Sequence, residues 1–291
     1  MSFEQTRAEI IRRKQEKGVL IAAHRGASGG YIIPNTIPAF ENALKHGCDI
    51  VEVDVVMSTD GDFFAFHNGK EKAVLGVDKD IRAMSTEKIL SYRCLTSDGT
   101  PINQRVEKLD AILEHLKGRC LINVDRSWFY WAETIRCIQR HRMADQIILK
   151  SPVDGRLMAA LEALQVEFMY MPIISAPAQI DEVLQYHINL VALELLFADL
   201  DNALIQSEQM AAYRARHLFT WVNAITLDDD TVLSGMLDDY RAITVSEQDT
   251  WGRLIEMGFD IVQTDWPLLL RKFVDEKVSN RPARAGLEHP H

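Results

Sequence analysis

Residues 119–150 read RCLINVDRSWFYWAETIRCIQRHRMADQIILK. A short apolar run ends at Asp125, a second ends at Lys150, and the stretch between them repeats its apolar residues at helical spacing. The pattern predicts strand 119–125, helix 128–142 and strand 146–150, one β-α-β unit with a polar residue closing each strand.

The same alternation extends in both directions. Downstream it predicts helix 154–164, strand 167–173, helix 177–187, strand 189–197, helix 202–215 and strand 217–222. A weaker strand signal follows at 241–245, then helix 247–257, strand 259–264 and a terminal helix opened by Asp265-Trp266-Pro267. Upstream, helix 106–117 is preceded by a polar, weakly periodic stretch from 68 to 105, which reads as a small insertion over one end of the domain. Before it, residues 1–18 form a charged helix stopped by Gly18, and Val19 to Ala23 is a buried strand ending at His24. The glycine-rich turn HRGASGG leads to a helix capped by Asn35 or Thr36, with Pro38 in its first turn and Gly47 as its stop. Strand Asp49 to Val55 and strand Phe63 to His67 follow. Only about eight residues separate these two, too few for a crossover helix between parallel strands, so an irregular return is expected.

Eight or nine strands alternating with helices, without a composition break, predict a closed (β/α)8 TIM barrel, with an open doubly wound sheet as the runner-up. The expectation is a single catalytic barrel domain over 1–291, with a disordered tail from about 279 to 291. Composition agrees with a globular chain: 291 residues, 47% hydrophobic and 25% charged. A net charge of -10 argues against nucleic acid or an anionic membrane as partner, and leaves room for a locally positive pocket. No apolar run approaches the ~18 residues of a membrane span, so no stable membrane anchor is expected. The N-terminus lacks the apolar core of a secretory signal. Four cysteines without paired spacing read as reduced thiols. Together these predict a cytoplasmic protein.

In such a barrel, functional groups gather at the C-terminal ends of the strands. His24, Glu52, Asp54, His67, Asp125, Lys150, Glu194, Asn223 and Asp265 all fall there. Glu52 and Asp54 are two apart on one strand and so share a face. Both interrupt the apolar run DIVEVDVV, where an unpaired carboxylate is costly. Two imidazoles and two carboxylates at strand ends are the parts of metal-assisted acid–base chemistry. Glu194, within VALELLF, could approach a metal or pair with a cation. Trp221 reads as core or pocket wall, and Asn223 as a polar group of the pocket. Asp265 reads as a helix N-cap rather than a ligand.

Several motifs in order resemble the glycerophosphodiester phosphodiesterases, the phosphatidylinositol-phosphodiesterase-like TIM barrels. These are HRG after the first strand, Asn35-Thr36 opening the next helix, Glu52-x-Asp54, Thr59-x-x in the turn T-D-G, and the strand-terminal His67. Further along come Pro101-Ile102, Trp221-Val222-Asn223 and the closing GFDIVQTDWP of 258–267. The resemblance spans about residues 19–270. It implies a hydrolase that uses one divalent cation, Mg²⁺ or Ca²⁺, to cleave small-molecule glycerophosphodiesters to glycerol 3-phosphate and an alcohol. It further implies His24 and His67 as the acid–base pair, Glu52 and Asp54 as metal ligands, and Arg25 on the phosphate.

The chain departs from the family pattern at three places. Ile33 stands where the family has the proline of Pro-Glu-Asn-Thr and Pro34 where it has the glutamate, so that acid is missing. Asn68 replaces an aspartate after the second histidine. The strand-four Glu-x-Lys reads Asp125-Arg126-Ser127, which keeps a shorter metal ligand in Asp125 and loses the lysine; Lys150 is the expected substitute on the phosphate. A lyase forming a cyclic phosphate from a phospholipid-like diester, and a non-catalytic barrel binding a phosphorylated ligand, are the alternatives.

Overall fold

The computed structural model describes residues 2–228 and 230–279. Its strands are β1 Leu20–Ala23, β2 Ile50–Met57, β3 Phe63–Ala65, β4 Leu121–Asp125, β5 Ile147–Pro152, β6 Met169–Ile174, β7 Ala192–Leu195, β8 Phe219–Asn223 and β9 Ile261–Thr264. The sheet runs β1-β9-β8-β7-β6-β5-β4-β2, and a parallel β1–β2 pairing (Ala22 opposite Ile50) closes it. Eight parallel strands therefore form a closed barrel with the helices outside, the expected (β/α)8 architecture and not the open sheet. β3 is the irregular return: it pairs antiparallel with β2, Val55 opposite Ala65.

Side-chain alternation sorts each strand into two faces. Leu20, Ala22, Ile50, Leu121, Ile148, Met169, Ala192, Trp221 and Ile261 point into the barrel and pack together with Ile10. Ile10 comes from the helix Phe3–Lys17, which thereby closes the N-terminal end of the barrel. The alternate set, including Ile21, Val51, Val53, Ile122, Val124, Ile147 and Leu149, packs outward against the helices. Continuing the inward parity along each strand reaches Glu52 and Asp54, Asn123 and Asp125, Lys150, Glu194, Asn223 and Gln263 in turn. An apolar floor is thus topped by a polar layer, and strand periodicity dictates which residues form it.

The stretch expected as an insertion holds short helices at Glu71–Leu75 and Thr86–Ser91. It also has its own apolar cluster, in which Phe64, Leu75, Ile81, Met84 and Ile89 are buried. The strand signal at 241–245 is corrected: Asp239–Thr244 is a helix. Its β-branched residues favour a strand locally, but the Asp238 carboxylate accepts from the Arg241 N–H at 2.9 Å and caps a helix instead. The terminal helix Pro267–Ser279 follows Asp265 as expected. The tail expected to be disordered lies, beyond Ser279, outside the described residues. No helix among the described residues is long and apolar enough to cross a membrane.

Candidate active site

Three strand-end carboxylates converge. Asp54 and Asp125 are direct register partners across β2 and β4. Glu52 lies two residues before Asp54 on the same inward face, and ligand oxygens of all three lie within 4.8 Å of one another. Glu52 and Asp54 are each 1% exposed. Burial, with the Asp54 and Asp125 charges added, holds the Glu52 carboxyl well above the usual carboxylate range. Asp125 goes the other way. Burial pushes it up, but Lys150 at 3.0 Å and the Arg126 N–H outweigh that and keep it low.

Cations and donors surround this cluster. The Arg25 backbone N–H donates to Glu52 Oε2 at 2.8 Å, and its Nε lies 2.8 Å from Asp54 Oδ2. Arg25 adopts φ +56°, a left-handed conformation uncommon outside glycine. Gly26 follows at φ +79°, and a Cβ there would sit 2.6 Å from the Ala39 carbonyl carbon. The HRG turn thus needs its glycine to lie against the helix Ile37–Lys45. Asn35 reaches the other flank of Asp54: its Nδ2 donates to Oδ2 at 2.9 Å and its Oδ1 accepts from the Asp54 N–H at 3.1 Å. Thr36, not Asn35, caps the helix.

The two histidines differ. His24 Nδ1 lies 2.9 Å from Asp265 Oδ1, so that carboxylate fixes the ring and offers a charge partner for its protonated form. Asp265 is itself held by Asp239, whose Oδ2 accepts the Asp265 N–H and whose Oδ1 accepts from Thr264 Oγ1 and Trp251 Nε1. Burial pushes Asp239 up to about 7. His67, just beyond β3, is half-buried, and its Nδ1 has no hydrogen-bond partner among the described residues. Burial, reinforced by Arg25 and Arg126 and opposed by Asp54, lowers its pKa.

Lys150 lies inside the barrel, its side chain 5% exposed, bridging Asp125 at 3.0 Å and Glu194 at 3.2 Å. Glu194 also accepts from Asn223 Nδ2 at 2.6 Å, and the fully buried Trp221 donates through Nε1 to Asn223 Oδ1 and Gln263 Oε1. Lys150, Glu194, Asn223 and Trp221 therefore form one connected buried network that joins the carboxylate cluster through Asp125. A 550 Å³ cleft opens beside His24, walled by Pro34, Asp265, Trp266 and Leu268.

The sequence reading did not single out Arg126, the Asp265–His24 contact, the role of Asn35 beside Asp54, or Asp239. Asp265 fitted an N-cap equally well, and Arg126 follows a strand in a stretch with no periodic signal. For Asn35, the cue was an asparagine directly before a residue that already capped the helix.

Comparison with known proteins bears on this arrangement. The model of a domain of unknown function (DUF4996) matches residues 170–274. Lysophospholipase D of Mus musculus is 31% identical over 75 residues, which is 26% of this chain and 22% of that protein. Glycerophosphodiester phosphodiesterase of Bacillus subtilis is 42% identical over 52 residues, 18% of this chain and 17% of that protein. The matches thus span about a fifth of these relatives' lengths. A glycerophosphoryl diester phosphodiesterase from Parabacteroides distasonis superposes with a TM-score of 0.73 at 16% identity, covering 89% of this chain and 87% of that one. A phosphodiesterase of Oleispira antarctica, solved with its product sn-glycerol-3-phosphate, gives a TM-score of 0.67 at 17% identity, with coverages of 88% and 96%. The chain has the TIM-barrel fold found in solved glycerophosphodiester phosphodiesterases.

Proposed function

We propose that this protein is a metal-dependent phosphoric diester hydrolase that cleaves glycerophosphodiesters to glycerol 3-phosphate and an alcohol. The observation that carries the reading is the carboxylate cluster of Glu52, Asp54 and Asp125 at the C-terminal end of a closed barrel, flanked by Arg25 and the strand-end histidines. The fold shared with phosphodiesterases, one of them solved with sn-glycerol-3-phosphate, supports the substrate class.

The donor set fits a hard divalent cation. Three carboxylates share one small volume, and Glu52 is buried among like charges that a cation would relieve. Glu52, Asp54 and Asp125 would hold it, and a bound Mg²⁺ or Ca²⁺ would supply charge neutralisation and Lewis acidity toward the phosphodiester. Arg25 binds a non-bridging oxygen. Lys150 keeps Asp125 ionised, while Glu194, Asn223 and Trp221 fix that lysine. His67, whose pKa burial lowers, takes a proton from the attacking hydroxyl. His24, backed by Asp265, carries the proton delivered to the leaving alkoxide. The cleft beside His24 receives the alcohol portion. Four buried free cysteines suit a reducing compartment, so we place the reaction in the cytoplasm.

The test is direct: purified protein with Mg²⁺ or Ca²⁺ and glycerophosphocholine, with enzymatic detection of glycerol 3-phosphate. Release that stops on chelation supports the reading. Release in excess chelator would sink the metal dependence, and a stable cyclic phosphate by phosphorus NMR would make the protein a lyase.

A further inference from the structure

Two arginines occupy matching places at the mouth. Arg25 follows β1 and Arg126 follows β4, and both adopt left-handed φ values, +56° and +60°. Each backbone N–H donates to a carboxylate of the cluster, Arg25 to Glu52 at 2.8 Å and Arg126 to Asp125 at 2.7 Å. Each side chain then turns to Asp54 from opposite sides, Arg25 Nε 2.8 Å from Oδ2 and Arg126 Nε 3.6 Å from Oδ1. Two strained non-glycine residues so placed need a surrounding structure that holds them, and such positions concentrate at functional sites.

The neighbours of Arg126 decide what it can do. Ser127 turns its hydroxyl inward, donating to the Val124 carbonyl at 2.9 Å, and Lys150 is enclosed between two acids. Arg126 is a quarter exposed, and its Nη1 donates to Asn68 Oδ1 at 2.8 Å, which tethers it beside His67. Its Nη2 makes no hydrogen bond among the described residues, and its contact with Asp54 is longer than a hydrogen bond. The planar, partly exposed guanidinium therefore retains donors beside the carboxylate cluster, in the fork geometry that suits a tetrahedral oxyanion.

We propose that Arg126 is the second arm of a phosphate clamp, which with Arg25 grips the non-bridging oxygens of the phosphodiester and of its phosphomonoester product. Asn68 is the positioning residue that aims it. The proposal rests on the phosphodiesterase reading of this site and adds the residue that selects a phosphoryl group.

The test measures binding of inorganic phosphate and of glycerol 3-phosphate to Mg²⁺-loaded protein by calorimetry, beside steady-state kinetics. Arg126→Ala is expected to weaken both ligands by about tenfold or more, the size of a lost hydrogen bond to a charged group, and to raise KM more than it lowers kcat. Arg126→Lys keeps the charge without the fork and should recover part of that loss, and it carries the test where the alanine variant fails to fold. Asn68→Ala, which removes only the tether, should have a smaller effect. Wild-type affinity in Arg126→Ala, equal losses in Asn68→Ala and Arg126→Ala, or no phosphate binding by the wild type would each overturn the clamp. Arg126-dependent phosphate binding without turnover of glycerophosphodiesters would sink the hydrolytic reading and leave the clamp standing; turnover with unchanged KM in Arg126→Ala would do the reverse.

Discussion

The two ends of the barrel both bury carboxylates, and they use them in opposite ways. At the N-terminal end, Asp49 accepts from the Ile21 N–H at 3.0 Å, and Asp260 accepts from the Thr220 N–H at 2.9 Å and from its hydroxyl at 3.1 Å. Lys14 of the first helix pairs with the other oxygen of Asp260 at 2.6 Å. These acids satisfy backbone donors and fasten neighbouring elements, so their oxygens are occupied by the fold. At the C-terminal end, Glu52, Asp54 and Asp125 crowd one another, and both arginines reach them only through strained backbone. One end lowers the energy of the native state; the other holds charge in an arrangement that stability alone does not favour. Buried acids are therefore informative only together with what they face.

The sharpest way to break this contrast is to change the proposed site at the C-terminal end and look for a loss of function without a loss of fold. His24→Ala and His67→Ala are each expected to reduce kcat by about 10² to 10⁴, with an unfolding midpoint close to that of the wild type. A parallel collapse of stability would show that the rings are structural. The reciprocal experiment is Asp260→Ala, which strands the Thr220 amide. It should cost about 1–3 kcal/mol in denaturant unfolding while kcat stays within twofold or so of wild type.

A pH series sharpens the comparison further. The Glu52 carboxyl is raised in the folded protein, so its contribution is favourable while protonated and is lost as pH climbs past the ordinary range near 4.5. In chelator, Glu52→Gln should thus gain stability over wild type above that range, and lose the advantage below it. Asp49 is raised too, by burial, but its bond from Ile21 opposes the shift, so Asp49→Asn should show a weaker pH dependence. The smallest effect belongs to Lys14→Ala, where a partly exposed ion pair should contribute at most about 1 kcal/mol, declining with added salt.

How much of this could be read from the chain follows from the same contrast. The barrel was legible because strand and helix periods alternate cleanly from 106 to 222. Glu52, Asp54 and Asp125 were legible because each interrupts or closes an apolar run, and inward parity then brings them together. The partners were harder. Asp265 reaches His24 across 241 positions of sequence, and no local signal separates that contact from a cap. Arg126 faces the site through a left-handed backbone that the letters R-S-W do not announce. Lys150 appeared at a strand end like the others, yet it is enclosed between Asp125 and Glu194, with Asn223 bonded to the latter, and such closure depends on four strands at once. The helix at 239–244 escaped because Ala-Ile-Thr-Val has strand propensity, and one capping aspartate overrode it.

Asp54 and Asp125 stand opposite one another in a parallel ladder, and this has a consequence for how the site can evolve. Neighbouring strands lie about 4.7–4.9 Å apart, a spacing imposed by backbone hydrogen bonds rather than by side chains. The separation between these two anchoring points is accordingly a constant of the barrel. Side-chain length is the free variable, and one methylene more or less at position 125 alters the reach of the carboxylate without moving its base. With the proposed cation bound there, ion size preference would drift by single substitutions at a strand end while the fold, which fixes the spacing, stays untouched.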